Sequence, residues 1–252
     1  MPDIIFLFLV GLFLPLFPLS MVFNALFNRV QHVVLRCVLL IIWPHIALAT
    51  IHLTEVSIPT WVVAWALITS LLYAIRMLAL RSMGQWTSFL ATSMWAMLWL
   101  TTTDIEQSVQ HLYAFGLTTP LVLLAILSAG LEKRFGAAYT DLYGGLAESI
   151  PRFAGVLVVV VLAAVATPLF PSFFIMLKLI MEWSVAMPSA MFALLTIWLL
   201  WSWAGVRLLQ GLIVGSASQG EAADLNLMSC WSYVVVLVAL MLSGLYLSVG
   251  VL

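Results

Sequence analysis

The positive charges of this chain fall in alternate gaps between its apolar segments, and this pattern constrains the fold more than any other feature. Eight strongly apolar runs can be drawn, at residues 4–23, 34–49, 61–80, 86–100, 112–131, 153–175, 184–213 and 231–252. With the helix ends that border them, the odd-numbered gaps hold eight of the nine Lys and Arg residues, and Lys178 lies alone in the sixth gap. Because Lys and Arg are retained on the cytoplasmic side of short loops, the pattern predicts eight spanning helices with both termini outside.

The composition places the chain among integral helical membrane proteins. Hydrophobic residues make up 65% of it and charged residues 8%, far from the usage of soluble domains. The longest gaps, residues 132–152 and 215–230, are too short to hold a folded soluble domain. We therefore predict an all-α polytopic bundle, a single transmembrane domain over residues 1–252, in the inner (plasma) membrane and in contact with the lipid bilayer. A net charge of -1 without a basic patch argues against nucleic acid as a partner.

The sequence offers no set of residues typical of a catalytic or metal site. It contains no HExxH or GxSxG motif and no cluster of acids, so an intramembrane enzyme is the least favoured class of function. Cys37 and Cys230 match no metal-binding or redox spacing and are interpreted as small packing residues. We predict no metal and no cofactor, and the chain is not expected to be catalytic by itself.

The sixth run contains the features that stand out most within the apolar segments. Pro44 interrupts the second run, and Pro168 and Pro171 interrupt the sixth, where a broken helix is expected because proline removes a backbone hydrogen bond. Lys178 and Glu182 follow at a spacing that puts them on one face of a helix, where they can pair. Two interpretations stay open: the pair marks an ion path, or Lys178 reaches to the outer interface with Glu182 as its surface partner.

Other polar residues are weaker candidates for a path of protons or cations. His45 follows Pro44 midway along the second run, where an imidazole could relay protons or form a hydrogen bond between helices. A polar cluster in the fourth gap could form the mouth of a path, and a solvated loop explains it equally well; its members are Asp104, Glu106, Gln107 and His111. The eleven Trp residues are expected in the interfacial belt and in helix packing.

From about Arg76 onward, small motifs follow one another in a characteristic order. Residues 76–87 read R-M-L-A-L-R-S-M-G-Q-W-T. The later motifs are residues 131–134 (L-E-K-R), Thr140 with Asp141, residues 144–146 (G-G-L), Pro151 before the Pro168 break, Arg207 with Gly211, residues 224–225 (D-L) and residues 244–246 (G-L-Y). In this order they resemble the carboxy-terminal half of the antiporter-like subunit family. That family comprises the proton-pumping membrane subunits of respiratory complex I, Mrp antiporters, membrane-bound hydrogenases and DAB-type inorganic-carbon complexes.

The resemblance implies a membrane subunit of a proton-coupled, multi-subunit complex, whose partners are other membrane subunits and whose ions are protons or monovalent cations. Gln85 aligns with a His or Gln of the family. The family's Glu or Lys after the helix break aligns with Met176, and Lys178 lies two residues further on. Inorganic-carbon uptake is one possible task of such a complex.

The chain also departs from the family. Full-length relatives are about twice as long, and the half that carries the glutamate and lysine of the first half-channel is missing here. Residues 1–70 show no resemblance. The alternative is therefore a structural or assembly subunit that does not conduct ions.

Overall fold

The computed structural model describes residues 2–54, 58–102, 105–140, 142, 144–215 and 223–249. These residues form an all-α bundle of eleven α-helices and one short 3₁₀ helix, without a β-strand. The α-helices are α1 (Pro2–Phe13), α2 (Ser20–Arg29), α3 (Val33–Thr54), α4 (Thr60–Met77), α5 (Met83–Ala96), α6 (Gln107–Phe135), α7 (Leu146–Ser149), α8 (Pro151–Ala164), α9 (Pro171–Ala186), α10 (Pro188–Ile213) and α11 (Leu227–Val249). The 3₁₀ helix (Met97–Thr101) follows α5 directly.

The helices correspond to the eight apolar runs, and the prediction of an all-α membrane bundle is confirmed. Five described helices are long and apolar enough to cross a membrane, namely α3, α4, α6, α10 and α11. The other three runs are composite: α1 with α2, α5 with the 3₁₀ helix, and α8 with α9. In the described part of the chain, the bundle therefore combines five continuous helices with three composite runs, and α5 passes into its 3₁₀ helix without a gap.

The break in the sixth run lies where the prolines predict it. Helix α8 ends at Ala164, and α9 begins at Pro171, which occupies its first turn, where a missing N–H costs nothing. Between them the backbone of Ala166 and Leu169 turns to positive φ, at 59° and 84°. This region is disfavoured for residues with a Cβ, so the surrounding packing must hold the segment in place.

Nearby side chains bind the carbonyls that this break frees. The hydroxyl of Ser172 donates to the carbonyl of Ala163 at 2.7 Å. The indole Nε1 of Trp198 on α10 donates to the carbonyl of Ala166 at 3.0 Å. A broken helix is tolerated inside a membrane when protein groups satisfy its backbone in this way.

The first run is broken as well, and the expectation of one continuous helix over residues 4–23 is wrong. Helix α1 ends at Phe13 and α2 begins at Ser20. Pro15 and Pro18 lie in the interruption, and neither has an N–H to continue the helical ladder. Two spans of the bundle are thus broken by non-helical backbone, namely the first along the chain and the span of α8 and α9 that precedes α10.

Tryptophan side chains from three different elements satisfy the carbonyls of this first break. The indole Nε1 atoms donate at 2.7–3.1 Å in the pairs Trp43 to Leu12, Trp99 to Leu14 and Trp65 to Phe17. Trp99 is fully buried. Part of the tryptophan content therefore supports irregular backbone in the interior, in addition to helix packing.

Hydrogen bonds between loops show which of them share an end of the bundle. Met83 N donates to Ala138 O at 2.9 Å, which joins the third gap to the fifth. Arg134 Nε donates to Ala223 O at 2.9 Å, which joins the fifth gap to the seventh. We call the end that carries these three gaps the charged end. Trp183 Nε1 donates to Leu100 O at 3.3 Å, which joins the sixth gap to the end of the fourth run.

Candidate functional site

Lys178, which borders the sixth gap in the sequence, lies inside helix α9. Helix α9 continues past the predicted end at Ile175 to Ala186, because no helix breaker occurs between Pro171 and Pro188. Lys178 Nζ is 3.7 Å from Glu182 Oε1, as their spacing predicts, and the side chains are 25% and 40% exposed. The pair therefore belongs to the second half of the broken span.

Tyr113 of α6 is the aromatic neighbour of this pair. Lys178 Nζ lies 5.9 Å from the centre of the buried Tyr113 ring, a distance typical of a weak cation–π contact. Both residues line an open cavity of about 460 Å³, together with Ser108 of α6 and Tyr246 of α11. We call Lys178, Glu182 and Tyr113 the lysine cluster. The ammonium group of Lys178 has access to a space large enough for several water molecules.

Two histidines from distant parts of the sequence meet between α3 and α6. His45 Nδ1 lies 2.8 Å from His111 Nδ1, and the rings stack at 5.1 Å between centres with an interplanar angle of 18°. A hydrogen bond between two ring nitrogens needs one donor and one acceptor. The two Nδ1 atoms of the neutral pair therefore share one proton, and the tautomers of His45 and His111 are linked.

The second ring nitrogen of His45 has no protein partner within the described residues. Nε2 is buried and makes no hydrogen bond. His45 lines a cavity of about 100 Å³, next to Phe115 and Thr118 of α6. Whichever tautomer His45 adopts, Nε2 is a donor or an acceptor that requires a partner.

A third histidine is held by a buried glutamine. Gln110 is 1% exposed, and its Nε2 donates to the carbonyls of Thr101 and Ile105, both at 2.8 Å. Its Oε1 is therefore the acceptor that faces His52 Nε2 at 3.0 Å, so His52 donates from that nitrogen. We call His45, His52, His111 and Gln110 the histidine cluster.

Helix α6 places the two clusters at one level of the bundle. His111 and Tyr113 are two positions apart, which on an α-helix is a rotation of about 200°. His111 accordingly contacts α3, and Tyr113 contacts α9 on the opposite side. One turn of α6 thus carries an ionisable cluster on each flank.

The remaining candidates do not join these clusters. Glu106 precedes the first turn of α6 and is exposed, as is Gln107. Gln85 is exposed in the first turn of α5, beside the loop of the charged end. Asp104 lies outside the described residues. Of the cluster expected in the fourth gap, His111 alone among the described members is part of the geometry above.

Sequence reasoning missed an ion pair inside the bundle. Arg36 of α3 lies 3.4 Å from Glu132 of α6, and the Arg36 side chain is 10% exposed. The Ser128 hydroxyl also lies 3.4 Å from Glu132, and Arg36 Nε donates to the carbonyl of Val30 at 2.7 Å. Arg36 serves the topology prediction and Glu132 belongs to the motif of residues 131–134, and nothing in the sequence links two residues so far apart.

Sequence reasoning also missed a buried network of hydroxyl groups along α5. Thr92 accepts a hydrogen bond from Asn24 Nδ2 of α2 at 3.0 Å. Ser93 bonds to Ser70 of α4 at 2.9 Å and accepts from Trp201 of α10 at 2.8 Å. The signal was the unusual Ser and Thr content of α5, which reads M-G-Q-W-T-S-F-L-A-T-S-M-W-A. Such bonds hold neighbouring membrane helices together.

In the described part of the chain, no group of three or more His, Cys, Asp or Glu residues is placed to hold a metal ion. Neither a protein-family model nor a curated protein sequence matches the chain.

Solved structures with the same fold do exist. A chain of respiratory complex I from Thermus thermophilus superposes with a TM-score of 0.75 at 17% identity, over 97% of this chain and 54% of its own length. A chain of the Mrp complex from Dietzia sp. DQ12-45-1b superposes with a TM-score of 0.75 at 14% identity, over 86% of this chain and 42% of its own length. This chain thus spans about half the length of the chains that it matches. The likeness supports the resemblance drawn from the residues after Arg76 and reaches into the first 70 residues, so the chain has the fold of these chains of respiratory complex I and the Mrp complex.

Proposed function

We propose that the chain is a membrane subunit that takes part in proton translocation within a multi-subunit complex. The observation that carries the proposal is the arrangement around α6, where the lysine and histidine clusters flank one helical turn beside a broken span. Ionisable side chains inside a membrane bundle are costly and are retained mainly where ions or protons move. The fold shared with chains of respiratory complex I and the Mrp complex supports the proposal.

Lys178 is the residue proposed to load and release a proton. Its ammonium group borders the cavity lined by Tyr113, from which water can deliver or remove a proton. Glu182, 3.7 Å from the ammonium group, is the counter-charge with which Lys178 pairs.

The histidine pair is proposed as the relay on the other flank of α6. A proton taken up at His45 Nε2 can be balanced by release from His111, because the two Nδ1 atoms share one hydrogen bond. The orphaned Nε2 beside the cavity is the atom at which a water molecule would enter this exchange.

The ions that the complex moves are proposed broadly, as protons or monovalent cations. The partners of the chain are proposed to be other membrane subunits. Uptake of inorganic carbon is one task proposed for such a complex. The plasma membrane, with both termini outside, is the proposed location.

A subunit that only supports assembly is the second candidate. Between Thr118 and Ser128 the buried residues of α6 are all apolar, so this helix offers no polar link from the clusters to the Arg36–Glu132 pair at the charged end. A conducting chain would have to cross this distance by another route. Trp95 of α5 donates to Thr118 at 3.0 Å, but an indole N–H cannot accept a hydrogen bond and so does not extend the network of α5 to α6.

Substitution of Lys178 separates the two candidates. Lys178→Ala should abolish proton-coupled activity and leave assembly intact, because the charge is needed for exchange and Lys178 is only partly buried. Lys178→Arg should also impair activity, since arginine keeps its proton and cannot cycle. The measurement is gradient-dependent transport in proteoliposomes or complemented cells, normalised to the abundance of the co-purified complex.

Lys133, an exposed lysine in the last turn of α6, provides the matched control. Lys133→Ala should leave the normalised activity near that of the wild type. Unchanged activity in both Lys178 variants would reject conduction through this residue and favour the assembly role. Purification of a monodisperse monomer that transports by itself would reject the multi-subunit proposal.

A further inference from the structure

We propose that the charged end of the bundle contains a binding site for the phosphate group of an anionic phospholipid. The site is a cavity of about 370 Å³ between the ends of α4 and α10. It lies away from the lysine and histidine clusters, so it is independent of the function proposed above.

The cavity offers donors that suit a phosphodiester. Its polar lining includes Arg81, which follows α4, and Arg207 and Gln210 in the last turns of α10. None of the described residues that line it is acidic. A guanidinium group presents a planar fork of N–H donors that matches two phosphate oxygens, so two such groups can hold one phosphate.

These two arginines differ from their neighbours at the same end. Arg36 pairs with Glu132, and Arg76 lies 5.2 Å over the ring of Phe89. Within the part of the chain that the structure describes, no ion pair or ring contact engages the side chains of Arg81 and Arg207. Both side chains line the same cavity and are exposed, so an anion that enters it meets two positive charges.

Trp86 supplies an independent sign of a missing partner. Its side chain lines the cavity and is 1% exposed, yet its indole Nε1 has no hydrogen-bond partner among the described residues. Indole can only donate, and a buried donor without an acceptor is unfavourable. Trp86→Phe therefore tests whether this donor takes part in binding.

Exposed apolar stripes next to the cavity favour a lipid over free phosphate. On α10, the outward-facing residues Leu199, Trp203 and Val206 follow one another at helical spacing and lead towards Gln210. On α4, Ile68 and Ile75 are 65% and 51% exposed along the approach to the cavity. Acyl chains can lie along these stripes while the phosphate occupies the cavity.

The competing occupant is a carboxylate of the chain itself. Asp141 and Glu221 belong to loops that border this end in the sequence, and both lie outside the described residues. The variants Asp141→Asn and Glu221→Gln therefore form part of the test.

Native mass spectrometry of the purified complex, with lipid added to mild detergent, measures the binding. We expect one phosphatidylglycerol to be retained under conditions that remove phosphatidylcholine. The double variant Arg81→Gln/Arg207→Gln should weaken this binding at least about tenfold, since it removes two charge-assisted contacts. Arg207→Lys keeps the positive charge and should weaken binding less. Trp86→Phe keeps an aromatic ring but removes the N–H donor, and it should also weaken binding. Arg29→Gln, at the same end but outside the cavity, is the matched control and should bind as the wild type does.

Three results would overturn the proposal. The first is equal retention of phosphatidylglycerol by the wild type and the double variant. The second is displacement of phosphatidylglycerol by millimolar inorganic phosphate, which would make the cavity a site for a free anion. The third is retention only after Asp141→Asn or Glu221→Gln, which would show that the chain's own carboxylate fills the cavity. Retention by Arg207→Lys at the wild-type level would contradict the role of the guanidinium fork.

Discussion

His45 and His111 come from helices separated by two others in the sequence, and their Nδ1 atoms lie 2.8 Å apart in the bundle. The contact makes the two rings one unit, because the proton between them fixes the tautomer of both. His52 and Gln110 form a second pair within the same cluster. The histidine cluster therefore couples the end of α3 to the start of α6 through side chains whose protonation can change.

The first prediction concerns this unit. His45→Gln and His111→Gln should each reduce proton-coupled activity at least about tenfold, because one ring alone cannot pass a proton across the shared bond. The double variant should be no less active than either single variant, because each single substitution already breaks the path that the two rings share. Gradient-dependent transport, normalised to the abundance of the complex, is the measurement.

His32 provides the control for this prediction. It is exposed between α2 and α3, so His32→Gln should leave transport unchanged. Additive losses in the double variant would show that His45 and His111 act separately.

The second prediction concerns the side of the membrane on which the charged end lies. In a chain without native cysteines, Ser218→Cys between α10 and α11 should react with an impermeant thiol reagent only from the cytoplasmic side, because the positive charges gather in these gaps. Ser108→Cys, exposed at the start of α6 at the other end, should react only from outside. The reverse labelling of the two sites would overturn the predicted orientation.

The sequence was most informative where chemistry is local. Pro168 and Pro171 predicted a break, and the structure has one between Ala164 and Pro171, because a missing N–H acts within a single turn. Pro15 and Pro18 break the first run for the same reason. That run has the ordinary length of a spanning helix, so its break was not predicted. The spacing of Lys178 and Glu182 likewise predicted a pair on one helix face.

Contacts between distant helices could not be predicted in this way. The partner of His45 is His111, and a single sequence gives no sign of which residue on another helix lies opposite. The same limit concealed the pair of Arg36 and Glu132. The packing of α3 against α6 decides which of their residues meet, and this packing depends on the whole bundle.

The third prediction concerns two glycines that let neighbouring helices approach the second break. A Cβ on Gly244 of α11 would lie 2.5 Å from the carbonyl oxygen of Leu169, and one on Gly116 of α6 would lie 2.7 Å from Pro171 Cβ. Gly244→Ala and Gly116→Ala should each destabilise the protein by about 1–3 kcal/mol, because the backbone of the break must shift. Gly244→Ala should be the more destabilising of the two, because the atom that its Cβ would meet is a backbone carbonyl oxygen.

Gly155 of α8 is the matched control for these two changes. A Cβ there would meet nothing within 4 Å, so Gly155→Ala should be neutral or should stabilise the helix by up to about 1 kcal/mol. Thermal unfolding in detergent compares the three variants. If Gly244→Ala and Gly155→Ala unfold at the same temperature, the close approach of α11 to the break does not matter for stability.

The last prediction concerns Asp224, which holds the first turn of α8 from the loop before α11. Its carboxylate accepts the backbone N–H groups of Arg152 at 2.9 Å and Phe153 at 3.0 Å, and that of Leu225 at 2.7 Å. Burial acts to raise the pKa of Asp224, but these hydrogen bonds and the charge of Arg152 outweigh it and hold the pKa below the usual range of an aspartate.

A depressed pKa in the folded state fixes the direction of the pH effect. The stabilisation by Asp224 should be fully present above the unfolded-state pKa of about 3.9 and should disappear as the pH falls through the lower folded-state value. Asp224→Asn should therefore be less stable than the wild type from neutral pH down to about pH 5, and the difference should shrink below about pH 4. Unfolding temperatures of the two proteins across this range provide the measurement. A difference that stays constant down to the lowest pH at which both remain folded would mean that the Asp224 carboxylate acts through its shape and not through its charge.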